Sequence, residues 1–292
     1  MSRGAIVDVT FYGVRGSTPC ACDTNRRYGG NTSCVVLEAS GELPIVLDLG
    51  TGLRLWGLTL PLDGSFKGIA LVSHLHWDHV QGLPFFGPVN MPGAELEIIA
   101  PTQEDGPLRE VIGGFLRPPY FPVTIDALAG RFTYTEVIET TIERGGWTIT
   151  TASVPHVGLT LGFRVEHCGV SVAYVPDHQQ PGCGSTSVSE SVLALAQGAD
   201  LLIHDAQYTD IEFAQKFDWG HCTIDYAVEV ARQARARRLA LFHHDPLHDD
   251  DQLDALASHA ARLGASAGLV EVMAASEGMR VSLAPIGAAS AQ

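Results

Sequence analysis

Short runs of alternating or β-branched apolar residues, each bounded by turn residues, dominate the first quarter of the chain: Ile6 to Tyr12, Cys34 to Ala39, Ile45 to Asp48 and Gly68 to Ser73. Alternation with period two puts apolar side chains on one face of an extended segment, so these four predict the strands of one sheet. Apolar positions at helical spacing predict short helices over Leu53 to Leu60 and Thr102 to Phe115. A second strand set is expected at Arg131 to Val137, Trp147 to Ala152, Leu161 to Glu166 and Val170 to Val175, the last two joined by a tight hairpin at His167-Cys168-Gly169. Helices then alternate with strands: helix Ser187 to Gln197, strand Asp200 to His204, helix Thr223 to Arg237, strand Arg238 to Phe242 and helix Asp250 to Leu263. The Ala- and Ser-rich stretch after Pro285 is expected to fray. No linker-like run or internal repeat divides the chain, so residues 1–292 are expected to form a single domain. Two sheets packed together with helices outside give a layered α/β architecture.

Composition narrows the functional classes. The chain has 292 residues, 46% hydrophobic, and 33 acids against 18 bases give a formal net charge of −15. A chain of this length can bury about three quarters of its unfolded surface and needs no covalent staple. Its apolar runs fall well short of the roughly 18 to 20 residues of a membrane span. Arg3 is followed by a strand-like stretch containing Asp8, with no apolar leader segment, which points to the cytoplasm. The acid excess weighs against structured nucleic acid as a partner, because phosphate neutralisation calls for a basic face, and Lys67 and Lys216 are the only lysines. Cys20, Cys22, Cys34, Cys168, Cys183 and Cys222 contain no CxxC pair and read as reduced thiols, with Cys20-Ala-Cys22 an incidental loop feature.

The chemistry concentrates in Ser73-His74-Leu75-His76-Trp77-Asp78-His79, directly after an apolar strand. In an extended chain His74, His76 and Asp78 face one side, and a turn at Asp78 brings His79 round beside them. Imidazole and carboxylate are ligands for borderline divalent metals. Four such groups within six residues exceed what one tetrahedral ion takes from a short loop, which implies two ions.

Together with Gly13-Val14-Arg15-Gly16-Ser17-Thr18-Pro19, Tyr28-Gly29-Gly30-Asn31-Thr32-Ser33-Cys34 and Asp48-Leu49-Gly50-Thr51-Gly52, this motif resembles the phosphodiesterase branch of the metallo-β-lactamase fold superfamily over nearly the whole chain. That branch includes phosphoribosyl cyclic phosphate phosphodiesterases and tRNase Z. The resemblance implies a four-layer αββα sandwich with a dinuclear metal site at one edge of the sheets. It further implies one ion held by His74, His76, His156 and Asp177 and a second by Asp78, His79, Asp177 and His243, with Asp177 bridging and Asp78 also counted among the catalytic residues. Adjacent residues of a strand point to opposite faces, so only one of His243 and His244 can reach the ions; the family motif implies His243, with His244 or Asp245 behind the ligands. Zinc is the first expectation for both ions, with manganese or iron as alternatives.

His204-Asp205-Ala206 and Gly220-His221-Cys222-Thr223 match two further motifs of the branch, with Asp205 in place of a glutamate and Cys222 in place of a serine. His221 is thereby a candidate acid and Asp205 its orienting group, although Thr223 leaves open a plain helix-start reading of His221. His167, His178, His248 and His259 match nothing and are expected at the surface or behind the ligands.

Two divalent ions against Asp78 and Asp177 make the site cationic, suited to hydrolysis of an anionic phosphodiester. Single-domain tRNase Z carries a long RNA-gripping insertion between the motif histidine and the bridging aspartate, whereas only twenty residues separate His156 from Asp177 here. The expected substrate is therefore a small phosphodiester, cyclic or linear. A lactonase, a thioesterase and an RNA 3′-processing endonuclease are the alternatives. Between Pro101 and Gly146, the cluster Phe115, Arg117, Pro118, Pro119, Tyr120, Phe121 is either a lid that stacks on a base or sugar, or a homodimer contact.

Overall fold

The computed structural model describes residues 6–285; the stretch after Pro285, expected to fray, and Arg3 lie outside the described residues. One sheet contains β1 (Val7–Gly13), β2 (Cys34–Ala39), β3 (Ile45–Leu47), β4 (Lys67–Leu71), β5 (Glu95–Pro101), β6 (Arg131–Val137) and β14 (Arg280–Leu283), in the order β14-β1-β2-β3-β4-β5-β6. The other contains β7 (Thr140–Arg144), β8 (Trp147–Ser153), β9 (Leu161–His167), β10 (Val170–Val175), β11 (Leu201–Asp205), β12 (Arg238–Phe242) and β13 (Glu271–Ala274), in the order β13-β12-β11-β10-β9-β8-β7. The helices are α1 (Leu53–Gly57), α2 (Trp77–Val80), α3 (Leu108–Phe115), α4 (Glu190–Ala196), α5 (Asp210–Gln215), α6 (Ile224–Gln233) and α7 (Asp250–Ser266).

Alternation along single strands sorts side chains into three cores. Val35 and Leu37 of β2 face inward to meet Phe163, Val172, Tyr174 and Phe242 of the second sheet, whereas Val36 faces outward among Trp56, Ala70, Ile98, Leu108 and Ile112. On the other side Val172 and Tyr174 of β10 join the central core, and Ala173 and Val175 pack under α4, α6 and α7 with Val192, Ala227, Val230 and Ala260. Both faces of both sheets are covered, which explains the almost continuously apolar strands. This is the α/β, αββα layering that the sequence implies.

The differences have local causes. β5 reads poorly because Glu95 and Glu97 alternate with its apolar residues and bond to cations at the sheet margin: Lys67 and Arg131 on Glu95, Arg144 on Glu97. Residues 102–107 form the turn that leaves β5, so the helix expected from Thr102 starts only at Leu108, after Pro107. β6 is not part of the second set; it pairs in parallel with β5, and the short turn after Val137 carries the chain across to β7, an exposed Thr-rich edge strand. The hairpin between β9 and β10 turns on Cys168 and Gly169, both at positive φ, with His167 paired to Val170. A two-residue turn with both residues left-handed matches the strand twist.

β10, β11 and β12 run parallel, as do β3, β4 and β5. Their carboxyl ends share one edge of the sandwich, where chemistry-bearing loops gather in open α/β sheets.

Candidate metal centre

After β4 the chain stays extended through His76 and enters α2 at Trp77, so only His74 and His76 follow strand alternation. The turn comes one residue earlier than expected, and it is this helical turn that presents Asp78 and His79. His156 follows β8, Asp177 follows β10 and His243 follows β12 directly. These seven side chains meet at one place. The donor atoms of His74, His76, His156 and Asp177 all lie within 4.8 Å of one another, as do those of Asp78, His79 and His243.

Asp177 stands between the two groups. Its Oδ2 is 3.7 Å from His74 Nε2 and 3.5 Å from His156 Nε2, while its Oδ1 is 3.2 Å from His79 Nε2 and 3.3 Å from His243 Nε2. Burial alone would raise its carboxyl, but the imidazoles of His243, His79 and His74 hold it well below the usual carboxylate range. Its Oδ1 finds no hydrogen-bond partner among the described residues. A buried, ionised oxygen without a donor is costly unless a cation meets it.

The histidine rings are oriented from behind. Nδ1 of His79 donates to Asp48 Oδ2 at 2.7 Å, that of His156 to the Gly220 carbonyl at 2.7 Å, and that of His243 to Gln207 Oε1 at 2.8 Å. Ser73 Oγ donates to Asp48 and so accepts from His74 Nδ1 at 3.0 Å. With Nδ1 bonded from behind, Nε2 of each of these rings faces the cluster, and loss of its proton makes it the metal-binding atom. The nitrogens on the cluster side stand close, His74 Nε2 2.8 Å from His76 Nδ1 and His79 Nε2 3.3 Å from His243 Nε2. Imidazoles and carboxylates in this arrangement fit two divalent cations.

Asp48, the first residue of the Asp48–Gly52 motif, is the hub behind the cluster. It is fully buried, sits at φ +59°, and accepts from Ser73 N–H, Ser73 Oγ, His79 and Tyr174 Oη. His243 takes a similar left-handed turn at φ +57°. Such backbone in a residue other than glycine is uncommon and here aims both side chains off their strand ends. His244 turns the other way: its Nε2 donates to the Ala275 carbonyl at 2.9 Å, and burial pushes its imidazole down to about 3, so it stays neutral. Asp245 pairs with Lys216 at 3.0 Å instead of backing the ligands.

The Gly13 to Pro19 motif wraps this strand end. Arg15 is fully buried and donates to the carbonyls of Gly29, Asp245 and His248. Gly16 passes so close to His243 that a Cβ there would collide with the ring. Ser17 N–H donates to Asp78 Oδ2 at 2.7 Å.

His221 lies beside the cluster with Nδ1 3.0 Å from Asp205 Oδ2 and 3.8 Å from Asp177 Oδ2. Asp205 is itself held by the backbone N–H groups of His178 and Gln207. The helix-start role falls to Thr223, whose side chain caps α6. Of the unmatched histidines none joins the cluster: His178 pairs with His204, His248 with Glu212, His259 with Asp225, and His167 with the Gly146 carbonyl. His178, His248 and His167 are buried, and only His259 is at the surface. Phe121 packs edge-on against Phe85, and with Trp77, Phe115 and Tyr120 they line a cavity of about 160 Å³.

Residues 58–244 match the model of the beta-lactamase superfamily domain. The Ribonuclease Z of Natronomonas pharaonis is 27% identical over 282 residues, spanning 80% of this chain and 86% of that protein. Among solved structures, the metallo-beta-lactamase fold protein YhfI from Bacillus subtilis superposes with a TM-score of 0.69 at 19% identity, covering 95% of this chain and 99% of that one. Human tRNase Z, short form, gives 0.66 at 23% identity, covering 96% and 100%. No described helix is long and apolar enough to cross a membrane. With the family model matched over most of the chain and the fold shared, this chain belongs to the beta-lactamase superfamily and is a metal-dependent hydrolase of the metallo-β-lactamase fold.

Proposed function

We propose that this chain is a dinuclear phosphodiesterase acting on a small phosphodiester, as a single catalytic unit whose ligands come from both sheets. In this reading His74, His76, His156 and Asp177 hold one ion, Asp78, His79, Asp177 and His243 hold the second, and zinc fills both, with manganese or iron as alternatives. Two divalent ions held there supply Lewis acidity toward a phosphoryl oxygen and a more acidic water. The observation that carries the phosphodiesterase reading is the His221–Asp205 pair, 3.0 Å apart and beside Asp177. Nδ1–H of His221 is committed to Asp205, which leaves Nε2 for the substrate. As water adds to phosphorus and the ester P–O bond breaks, protonated His221 gives its Nε2 proton to the departing oxygen, and Asp205 stabilises the charged ring until then.

A small substrate is supported by the segment between His156 and Asp177, which is used up by a loop, β9, a two-residue turn and β10. The formal charge of −15 supports it too. A second reading, RNA 3′-end processing, draws on the Ribonuclease Z relative, whose likeness runs over 80% of this chain. The test is a turnover screen of cyclic nucleotides, cyclic phosphoribose, dinucleotides and chromogenic phosphodiesters beside a 3′-extended tRNA, a lactone and a thioester. Preferred turnover of a small diester is expected. Preference for the tRNA would replace the first reading by the second, and turnover of the lactone or thioester alone would remove both.

A further inference from the structure

Trp56 and Trp147 are core residues, 2% and 1% exposed, whereas Trp77 and Trp219 are 65% and 60% exposed. Both exposed tryptophans adjoin the metal centre. Trp77 lies between His76 and Asp78, and Trp219 is followed by Gly220 and His221. Their placement follows from a chain of contacts: His76 Nδ1 is 3.3 Å from His156 Nε2, and His156 Nδ1 donates to the Gly220 carbonyl. The backbone at Trp77 and Trp219 therefore lies next to the His76–His156 pair, Trp77 in the loop after a strand of the first sheet and Trp219 in a loop of the second. Gly220, at φ +96°, permits this approach, since a Cβ there would collide with His156.

The loop carrying Trp219 does not depend on its aromatic rings for anchorage. Gln179, two residues after Asp177, accepts from Gly220 N–H at 2.8 Å and donates to the Phe217 carbonyl at 2.6 Å. Lys216 Nζ lies 5.5 Å from the Trp219 ring centroid and 4.8 Å from that of Tyr208, whose ring meets His221 edge-on. A cation on one side orients the Trp219 ring. Phe217, 59% exposed, extends the same surface. Large aromatic surface held by polar anchors beside a phosphodiester-type site is the arrangement of a stacking platform.

We propose that the substrate is a linear phosphodiester bearing a nucleobase on each side of phosphorus, with Trp219 stacking the leaving-group side and Trp77, backed by Tyr120 and Phe121, the other. The assignment of sides rests on the phosphodiesterase reading: the departing oxygen must reach His221, two residues from Trp219. A cyclic mononucleotide has both ester oxygens on one sugar and reaches only one wall.

The probe is a non-hydrolysable methylene-phosphonate analogue of the dinucleotide ApA, titrated calorimetrically into metal-loaded protein, beside the same analogue with a methyl group in place of the leaving-side adenosine. Trp219→Ala should weaken the ApA analogue by roughly 10- to 100-fold, the worth of one base stack, and leave the methyl analogue within about twofold. Trp77→Ala should weaken both, and Trp219→Phe should restore most of the loss. Equal effects of Trp219→Ala on both analogues, no effect, or no binding to the wild type at millimolar concentration would overturn the proposal. Turnover of ApA itself is scored separately: base-dependent binding without hydrolysis would remove the phosphodiesterase reading and keep the platform, and hydrolysis with unaltered binding in both variants would do the reverse.

Discussion

His221 and Asp205 are joined through Nδ1 and Oδ2 at 3.0 Å, and that carboxylate is fully buried. An acid positioned this way should matter in proportion to how badly the leaving group needs a proton. His221→Ala should slow hydrolysis of an alkyl phosphodiester by roughly 10²- to 10⁴-fold, with metal content unchanged. It should slow a nitrophenyl ester far less, because nitrophenolate leaves unprotonated. Equal losses on both substrates in steady-state kinetics would transfer His221 to binding or support.

Asp177→Ala should reduce metal content from two ions to none, measured by elemental analysis after dialysis, because each of its oxygens faces a different histidine group. Retention of one ion at full occupancy would mean that the two groups bind independently.

Asp48 touches no proposed substrate atom, yet Asp48→Ala should weaken metal binding by roughly 10- to 100-fold, through loss of the hydrogen bond that fixes His79. It should also lower stability by about 1 to 3 kcal/mol by stranding Ser73 and Tyr174 hydroxyls in the interior. Tyr174→Phe removes one of these bonds only and should leave metal affinity nearly unchanged. Chelator competition and denaturant melts separate the two effects.

Metal loading should stabilise the fold, since the ligands lie on segments from both sheets and are not assembled in the unfolded chain. At a free metal concentration about 100 times the dissociation constant the gain is about 2.7 kcal/mol. A thermal melt before and after chelation measures it, and an unchanged midpoint would contradict occupancy of the cluster.

No submicromolar complex with tRNA should form at physiological salt, given the net charge of −15. A gel-shift titration across salt concentrations decides it.

His74, His76, Asp78 and His79 stand out as candidate ligands because they fall within six residues, whereas His156, Asp177 and His243 come only from the motifs of the family resemblance. Strands with uninterrupted apolar runs, such as β2, β10 and β12, were equally plain. What the sequence hides is support that exists only after folding. Gln207 behind His243 and Tyr174 behind Asp48 sit at positions whose residue types carry no local signal. The left-handed backbone at Asp48 and His243 is likewise a tertiary effect, since neither is a glycine. β5 and β7 were obscured because their glutamates and threonines report on neighbours across the sheet rather than on a buried face.

The pairing of β1 with β14 sets Val7 opposite Leu283, almost the whole chain apart. During synthesis the first sheet therefore waits for its last partner, with β1 presenting an unpaired edge until β14 has emerged. Contacts of such long sequence separation form slowly, and an open edge is a template for mispairing between chains. The cost of this topology falls on the nascent protein: yield on expression should depend on how well that edge is shielded before β14 arrives, even where the finished enzyme is stable.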